Sequence, residues 1–233
     1  MTDRIIKDTK RVRDYGEVFT PKWVVEKMLD QPEVDAKVRS LTATFLEPSA
    51  GEGAFLTEVL ARKMKYALEK SKNAREFGNN ALMALSSLYG IELLEDNVEM
   101  LVINMHDTFS KIYRTFINNV YGSVPDERVF YSAKTIICAN MAQGDALKKT
   151  DSAGNPIIFS EWKPVGKTKV QRTEYTFESI LDGSGPTGTV KDKYEQLDLF
   201  ALDVEPSCEI DSEPLDRHYR LSLWTDVYRQ LVS

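Results

Sequence analysis

The stretch Leu46-Glu47-Pro48-Ser49-Ala50-Gly51-Glu52-Gly53-Ala54-Phe55 carries the residue types best suited to holding a small molecule. Small residues at Ser49, Ala50, Gly51 and Gly53 let a backbone pass close to a ligand, where a bulky side chain would block the approach. Glu92 closes a second apolar run, Tyr89-Gly90-Ile91-Glu92, at the position from which a carboxylate accepts hydrogen bonds from two ribose hydroxyls. Gly144-Asp145-Ala146-Leu147 follows a third apolar run and adds a carboxylate able to receive the exocyclic amine of an adenine ring. Each piece alone has a plain structural explanation: a helix cap at Thr20-Pro21, a tight turn at Gly51 and Gly53, a helix start at Asp145. Their order along the chain gives them weight together.

These residues need elements to hold them. Thr42 to Leu46 reads as a short strand ending at Glu47-Pro48, and Leu56, Val59, Leu60 and Met64 then recur at helical spacing. Upstream, Thr20 as N-cap and Pro21 at the first helical position, with Val24, Val25, Met28 and Leu29 behind them, predict a helix to about Asp30. Downstream, the pattern predicts a strand over Ser87 to Glu92, a long helix from Glu95 to about Phe116, and a strand over Lys134 to Ala139. Strands alternating with helices predict an α/β fold with a doubly wound, mostly parallel sheet. Ile157 to Phe159 reads as a further strand, and Val165-Gly166-Lys167-Thr168 as a hairpin turn. From Asp182 to Val190 the composition is that of a linker, and Leu215, Tyr219, Leu223, Val227 and Leu231 mark one side of a final helix. The chain therefore divides into a domain over 1–181, an acidic linker over 182–214 and a C-terminal helix over 215–233.

With 233 residues, 42% of them hydrophobic, the chain can bury one α/β core and carry appendages. A net charge of -6 argues against coating nucleic acid by bulk electrostatics. Charge is uneven, however: Arg4, Lys7, Lys10, Arg11 and Arg13 gather at the start, and acidic residues dominate from Tyr194 onward. This permits a DNA-facing end. No apolar run is long enough to cross a bilayer, and Met1-Thr2-Asp3-Arg4 lacks the apolar stretch of a secretory signal, so a cytoplasmic location away from membranes is expected. Cys138 and Cys208 lie far apart, and His106 and His218 are isolated, so neither a metal site nor a serine-type triad is expected.

In this combination the sequence resembles the amino-methylating DNA methyltransferases of restriction-modification systems, in the subgroup that modifies adenine at N6. The resemblance rests on Gly16-Glu17-Val18-Phe19-Thr20-Pro21, then the Glu-Pro-x-x-Gly-x-Gly loop from Glu47 to Gly53, then Glu92, then Asp145. It covers roughly the first two-thirds of the chain. It implies a Rossmann-like methyltransferase fold, S-adenosylmethionine as cofactor and DNA as partner. The cofactor residues it implies are Phe19, Thr20, Glu47, Ser49, Gly51, Gly53, Phe55, Glu92 and Asp145, the Thr-Pro segment helping to hold the methionine part.

The sequence departs from that family in one place that matters for chemistry. Members act through a short Asn/Asp/Ser-Pro-Pro-aromatic sequence at the end of the fourth strand, which holds the target amine and stacks on the extruded base. None of the prolines here is followed by another proline. Asn155-Pro156-Ile157-Ile158 looks like a turn entering a strand, and at that strand's far end stand Ser160, Glu161 and Trp162. A carboxylate with an indole can hold and stack a base, which makes these three the candidate catalytic residues; the alternative is ordinary strand-end residues. No separate recognition region follows, so sequence reading would fall to a partner subunit. The chain is then either part of a split modification enzyme or a non-catalytic cofactor-binding adaptor. A methyltransferase of small molecules or RNA ranks third.

Gln196-Leu197-Asp198-Leu199-Phe200 resembles the short peptide with which bacterial replication and repair proteins attach to the DNA polymerase sliding clamp. Leu199 and Phe200 would enter a groove while Gln196 makes directional hydrogen bonds. The alternative is a short helix or strand packed on the domain.

Overall fold

A computed structural model describes Lys10, Arg11, Arg13, residues 20–186 and residues 218–232. Two short helices, α1 (Lys22–Leu29) and α2 (Pro32–Val38), precede β1 (Phe45–Glu47). The glycine-containing loop then enters α3 (Ala54–Glu69), which is followed by α4 (Ala74–Leu85), β2 (Leu88–Glu92) and the 27-residue α5 (Glu95–Tyr121). Next come α6 (Glu127–Asn140) and β3 (Met141–Gln143). A hairpin of β4 (Ile158–Val165) and β5 (Lys169–Thr176) leads into α7 (Phe177–Asp182). The last described segment holds β6 (Ser222–Leu223) and a 3₁₀ turn (Trp224–Arg229).

The chain is mixed α/β. Its first three strands form one parallel sheet in the order β1-β2-β3, with Glu47 opposite Gly90 and Glu92 opposite Gln143. Alternation along β2 divides the core. Leu88 joins the large cluster made with α3, α4, α5 and α6. Tyr89 and Ile91 join a smaller one with Ala142, Ile157, Phe159 and Phe177, so hairpin and α7 cover that side of the sheet. Lys63 ties α3 to the segments that lead into β1 and β2: its ammonium donates to the carbonyls of Ser40 and Ala43 and to the Ser87 hydroxyl, at 2.7 to 2.8 Å. Burial pushes this group down to about 7, while the three acceptors match the three N–H bonds of its charged form.

Three expectations about elements are corrected. Lys134 to Ala139 is the end of α6, not a strand, and the strand follows it at Met141. Asp126 caps that helix by accepting from the Arg128 amide, and a short apolar run such as Ile136-Ile137 does not by itself distinguish a buried helix from a buried strand. Thr20 is not the cap of α1; Pro21 occupies that position in an extended conformation and its carbonyl accepts from Val24 and Val25. The third concerns the C-terminal helix, in whose place stand β6 and the 3₁₀ turn. The four-residue spacing of Tyr219, Leu223 and Val227 arises because each contacts the body by a different route; Tyr219 and Val227 are buried while Leu231 is half exposed. Leu215 lies outside the described residues.

The segment 218–232 is accordingly part of the domain. β6 pairs antiparallel with β5, the Trp224 amide donates to the Thr168 carbonyl, and Trp224 and Val227 belong to the main core. Beyond Asp182, which ends α7, the expected linker is described only to Pro186. Trp224 is fully buried, so Trp224→Ala is expected to cost about 3–5 kcal/mol in urea unfolding. A cost below about 1 kcal/mol would mark the segment as an appendage.

Candidate functional site

The carboxyl ends of β1, β2 and β3 are stitched together by backbone. The Ala50 amide donates to the Ile91 carbonyl and the Gly144 amide to the Glu92 carbonyl, both at 2.9 Å. Above this seam, the Gly51 amide donates to Oε2 of Glu92 at 2.8 Å. Oε1 of Glu92 accepts from the Leu94 amide at 3.0 Å and from Nδ2 of Asn97 at 3.4 Å. Glu92 is therefore buried and holds the glycine loop to the turn between β2 and α5. From the sequence, Glu92 is expected to accept from ribose hydroxyls; it does stand at the end of β2, but three of its four acceptor positions are filled by the protein itself.

Both loop glycines have left-handed backbones, φ +53 at Gly51 and φ +87 at Gly53. A Cβ on Gly53 would lie 2.5 Å from Cδ1 of Leu101, whereas one on Gly51 would meet nothing within 4 Å. Gly53 thus lets α3 begin against α5, and Gly51 leaves open space next to the loop. That space is a cavity of about 370 Å³. Thr20, Glu47, Ser49, Gly51 and Phe55, all expected from the sequence, line it. Gly53, Glu92 and Asp145 do not, and Phe19 lies outside the described residues.

One wall went unread in the sequence: Asn104, Asp107 and Thr108 of α5. Their i, i+3, i+4 spacing places them on one side of the long helix, which was the available signal. Asn104 also donates from Nδ2 to the Glu52 carbonyl at 2.9 Å, fixing the loop against the helix.

The lining is acidic. Glu47, Glu52 and Asp107 contribute carboxylates, and no lysine, arginine or histidine lines the cavity among the described residues. Glu47 and Glu92 lie on adjacent strands, and Oε2 of Glu47 is out of water with no hydrogen-bond partner. Burial first, and the charge of Glu92 second, push the Glu47 carboxyl up to about 7. Among the described residues no group of acidic, histidine or cysteine side chains is arranged to hold a metal ion. No helix there is long and apolar enough to cross a membrane. Comparison with protein-family models, curated proteins and solved structures finds no match.

Asp145 departs from its expected role. Its Oδ1 accepts from the amides of Leu147 at 2.9 Å and Lys148 at 3.1 Å, and Oδ2 pairs with Nζ of Lys148 at 3.3 Å. These bonds, the Lys148 amide foremost, hold the carboxyl below the usual range, and they close its own turn instead of facing the cavity.

The expected strand-end trio is also placed differently. β4 runs on to Val165, so Ser160, Glu161 and Trp162 lie within it. The Ser160 hydroxyl is buried and accepts from Nε of Arg172 at 2.9 Å. The Trp162 indole is 6% exposed, donates to Oδ1 of Asn140 at 3.0 Å and carries the Arg172 guanidinium 5.0 Å from its ring centre. Glu161 is exposed and accepts from the Tyr175 hydroxyl at 3.2 Å. Strand alternation explains this: residues flanking Glu161 must point inward. Gln196 to Phe200, the docking-peptide residues, lie outside the described residues.

Two outcomes follow from this geometry. Gly53→Ala is expected to lose roughly 2–4 kcal/mol, and Gly51→Ala only about 1 kcal/mol, because the first adds a clash to the backbone strain both share. Equal losses in urea unfolding would mean that Leu101 moves aside freely. For pH, the folded Glu47 carboxyl sits above its unfolded value, so its contribution to stability is greatest below about pH 4.5 and is lost as pH rises to about 7. Glu47→Gln removes that slope; unfolding curves of both proteins between about pH 4.5 and 8 should therefore diverge, with the variant gaining relative stability toward alkaline pH.

Proposed function

We propose that this chain binds S-adenosylmethionine and is a subunit of an adenine-N6 DNA methyltransferase of a restriction-modification system, a doubly wound Rossmann-like domain whose partner supplies base recognition and catalysis. The observation that carries the reading is the acidic cavity beside the Gly51–Glu92 contact, where Thr20, Glu47, Ser49, Gly51 and Phe55 meet. A glycine loop at the end of a first parallel strand commonly cradles a nucleotide. Phosphate-bearing nucleotides need donors or cations at that loop, and here three carboxylates face the ligand. S-adenosylmethionine carries an ammonium and a sulfonium against a single carboxylate, is net positive and has no phosphate, and so suits this lining better than a phosphate-bearing nucleotide does. The cavity also falls within the size range of small-molecule sites.

The need for a partner is supported by the placement of Ser160 and Trp162, whose polar atoms are spent inside the fold. The parallel sheet among the described residues also ends at β1, the strand from which a doubly wound sheet continues into its second half. The same burial of Ser160 and Trp162 favours, as a second reading, a catalytically inactive cofactor-binding adaptor that docks on the replication sliding clamp through Gln196, Leu197, Leu199 and Phe200.

Calorimetry with S-adenosylmethionine tests the first step. Asp107 is 78% exposed, so Asp107→Lys keeps the fold while placing a cation in the cavity wall. Saturable binding to the wild type, weakened about tenfold or more in the variant, is expected. Absence of binding, or equal affinity in both proteins, would overturn the assignment of this cavity. Methyl transfer to adenine in DNA, measured alone and with candidate partner subunits, then separates enzyme subunit from adaptor.

A further inference from the structure

We propose that a cation enters this cavity by displacing a proton carried by Glu47, so that ligand binding and proton release are one event. The proposal rests on the S-adenosylmethionine reading and concerns how that site is regulated.

The geometry makes Glu47 and Glu92 unequal. In the parallel register Glu47 lies opposite Gly90, which puts its side chain on the same face of the sheet as Glu92 on the neighbouring strand. Glu92 receives the Gly51 amide, the Leu94 amide and the Asn97 side chain. Oε2 of Glu47 is buried and accepts no hydrogen bond among the described residues. Among the described residues the charged groups set around Glu47 are acidic: Glu92 beside it on β2, and Glu52 of the loop and Asp107 of α5 on the cavity wall. Thr20, ahead of α1, contributes only a hydroxyl.

A carboxyl with one oxygen buried and without a donor, beside a second carboxylate, holds its proton more tightly than a free one in the ligand-free protein. Burial raises the Glu47 carboxyl to about 7, which sets the range of the effect near neutrality. When an ammonium or sulfonium arrives, its charge replaces that of the proton. The Glu47 O–H bond breaks, the electron pair stays on oxygen, the proton passes to buffer, and an ion pair remains. Affinity should then rise about tenfold per pH unit below pH 7 and level off above it.

The test is calorimetry with S-adenosylmethionine in two buffers of different ionisation enthalpy, combined with a carbon-13 titration of the Glu47 carboxyl in the ligand-free protein. Release of about 0.9 proton per ligand is expected near pH 6, and almost none near pH 8.5. Glu47→Gln should bind more weakly, without proton release and without the slope. Ligand binding near pH 6 without proton release, or release that persists in Glu47→Gln, would overturn the proposal. So would a Glu47 titration midpoint in the ordinary carboxylate range, and this arm decides even where no ligand binds. Failure of S-adenosylmethionine to bind at any pH, with Glu47 titrating near 7, sinks the functional reading and, with it, the coupling.

Discussion

The Gly51 amide and the Glu92 carboxylate, 2.8 Å apart, join the end of the first strand's loop to the end of the second strand. A hydrogen bond to a charged acceptor contributes about 1.5–3 kcal/mol, enough to hold a loop whose two glycines have left-handed backbones. The same carboxylate takes the Leu94 amide and the Asn97 side chain, so the start of α5 is fixed by the group that fixes the loop. Because α5 is placed in this way, Asn104, Asp107 and Thr108 face the loop and complete a cavity. One buried carboxylate thus fixes both the loop and the wall opposite it.

That arrangement has an electrostatic consequence. A carboxylate used to organise backbone leaves its neighbour on the next strand without donors, and Glu47 is that neighbour. The cavity is shaped by one acid and charged by another. No lysine, arginine or histidine among the described residues lines the cavity beside Glu47. Such a site favours small cations over phosphates, a distinction the glycine loop alone does not make.

What the sequence made legible follows from how local each signal is. The Glu47 to Gly53 loop and the strand ending at Glu92 were readable because glycine conformation and strand ends are set within a few residues, whereas the bond between them was not. The hairpin at Gly166 was readable for the same reason. Asp145 was not, because its carboxylate had two outlets, a ligand or its own turn, and the nearby amides of Leu147 and Lys148 won by proximity. Lys134 to Ala139 was misread since a short apolar run such as Ile136-Ile137 fits a buried helix turn as well as a buried strand. The wall from α5 was invisible for a different reason: only tertiary packing reveals which side of a 27-residue helix meets the loop.

The hairpin shows why a catalytic arrangement does not arise simply from placing a serine and a tryptophan two residues apart. Alternation sends both side chains to the buried side of β4, where Arg172 binds the Ser160 hydroxyl and lies over the Trp162 ring. Arg172 also reaches Oε1 of Glu174 at 3.3 Å and Oε1 of Gln230 at 3.1 Å, tying the hairpin to the C-terminal segment. Removing either aromatic or hydroxyl partner would leave a buried charge less well satisfied. Freeing Trp162 to stack on a base would require dismantling that network, together with the Asn140 contact that reaches the carbonyls of Ser86 and Leu88 at the foot of β2. The hairpin is therefore committed to holding the fold, and neither Ser160 nor Trp162 has a polar atom to spare for a ligand.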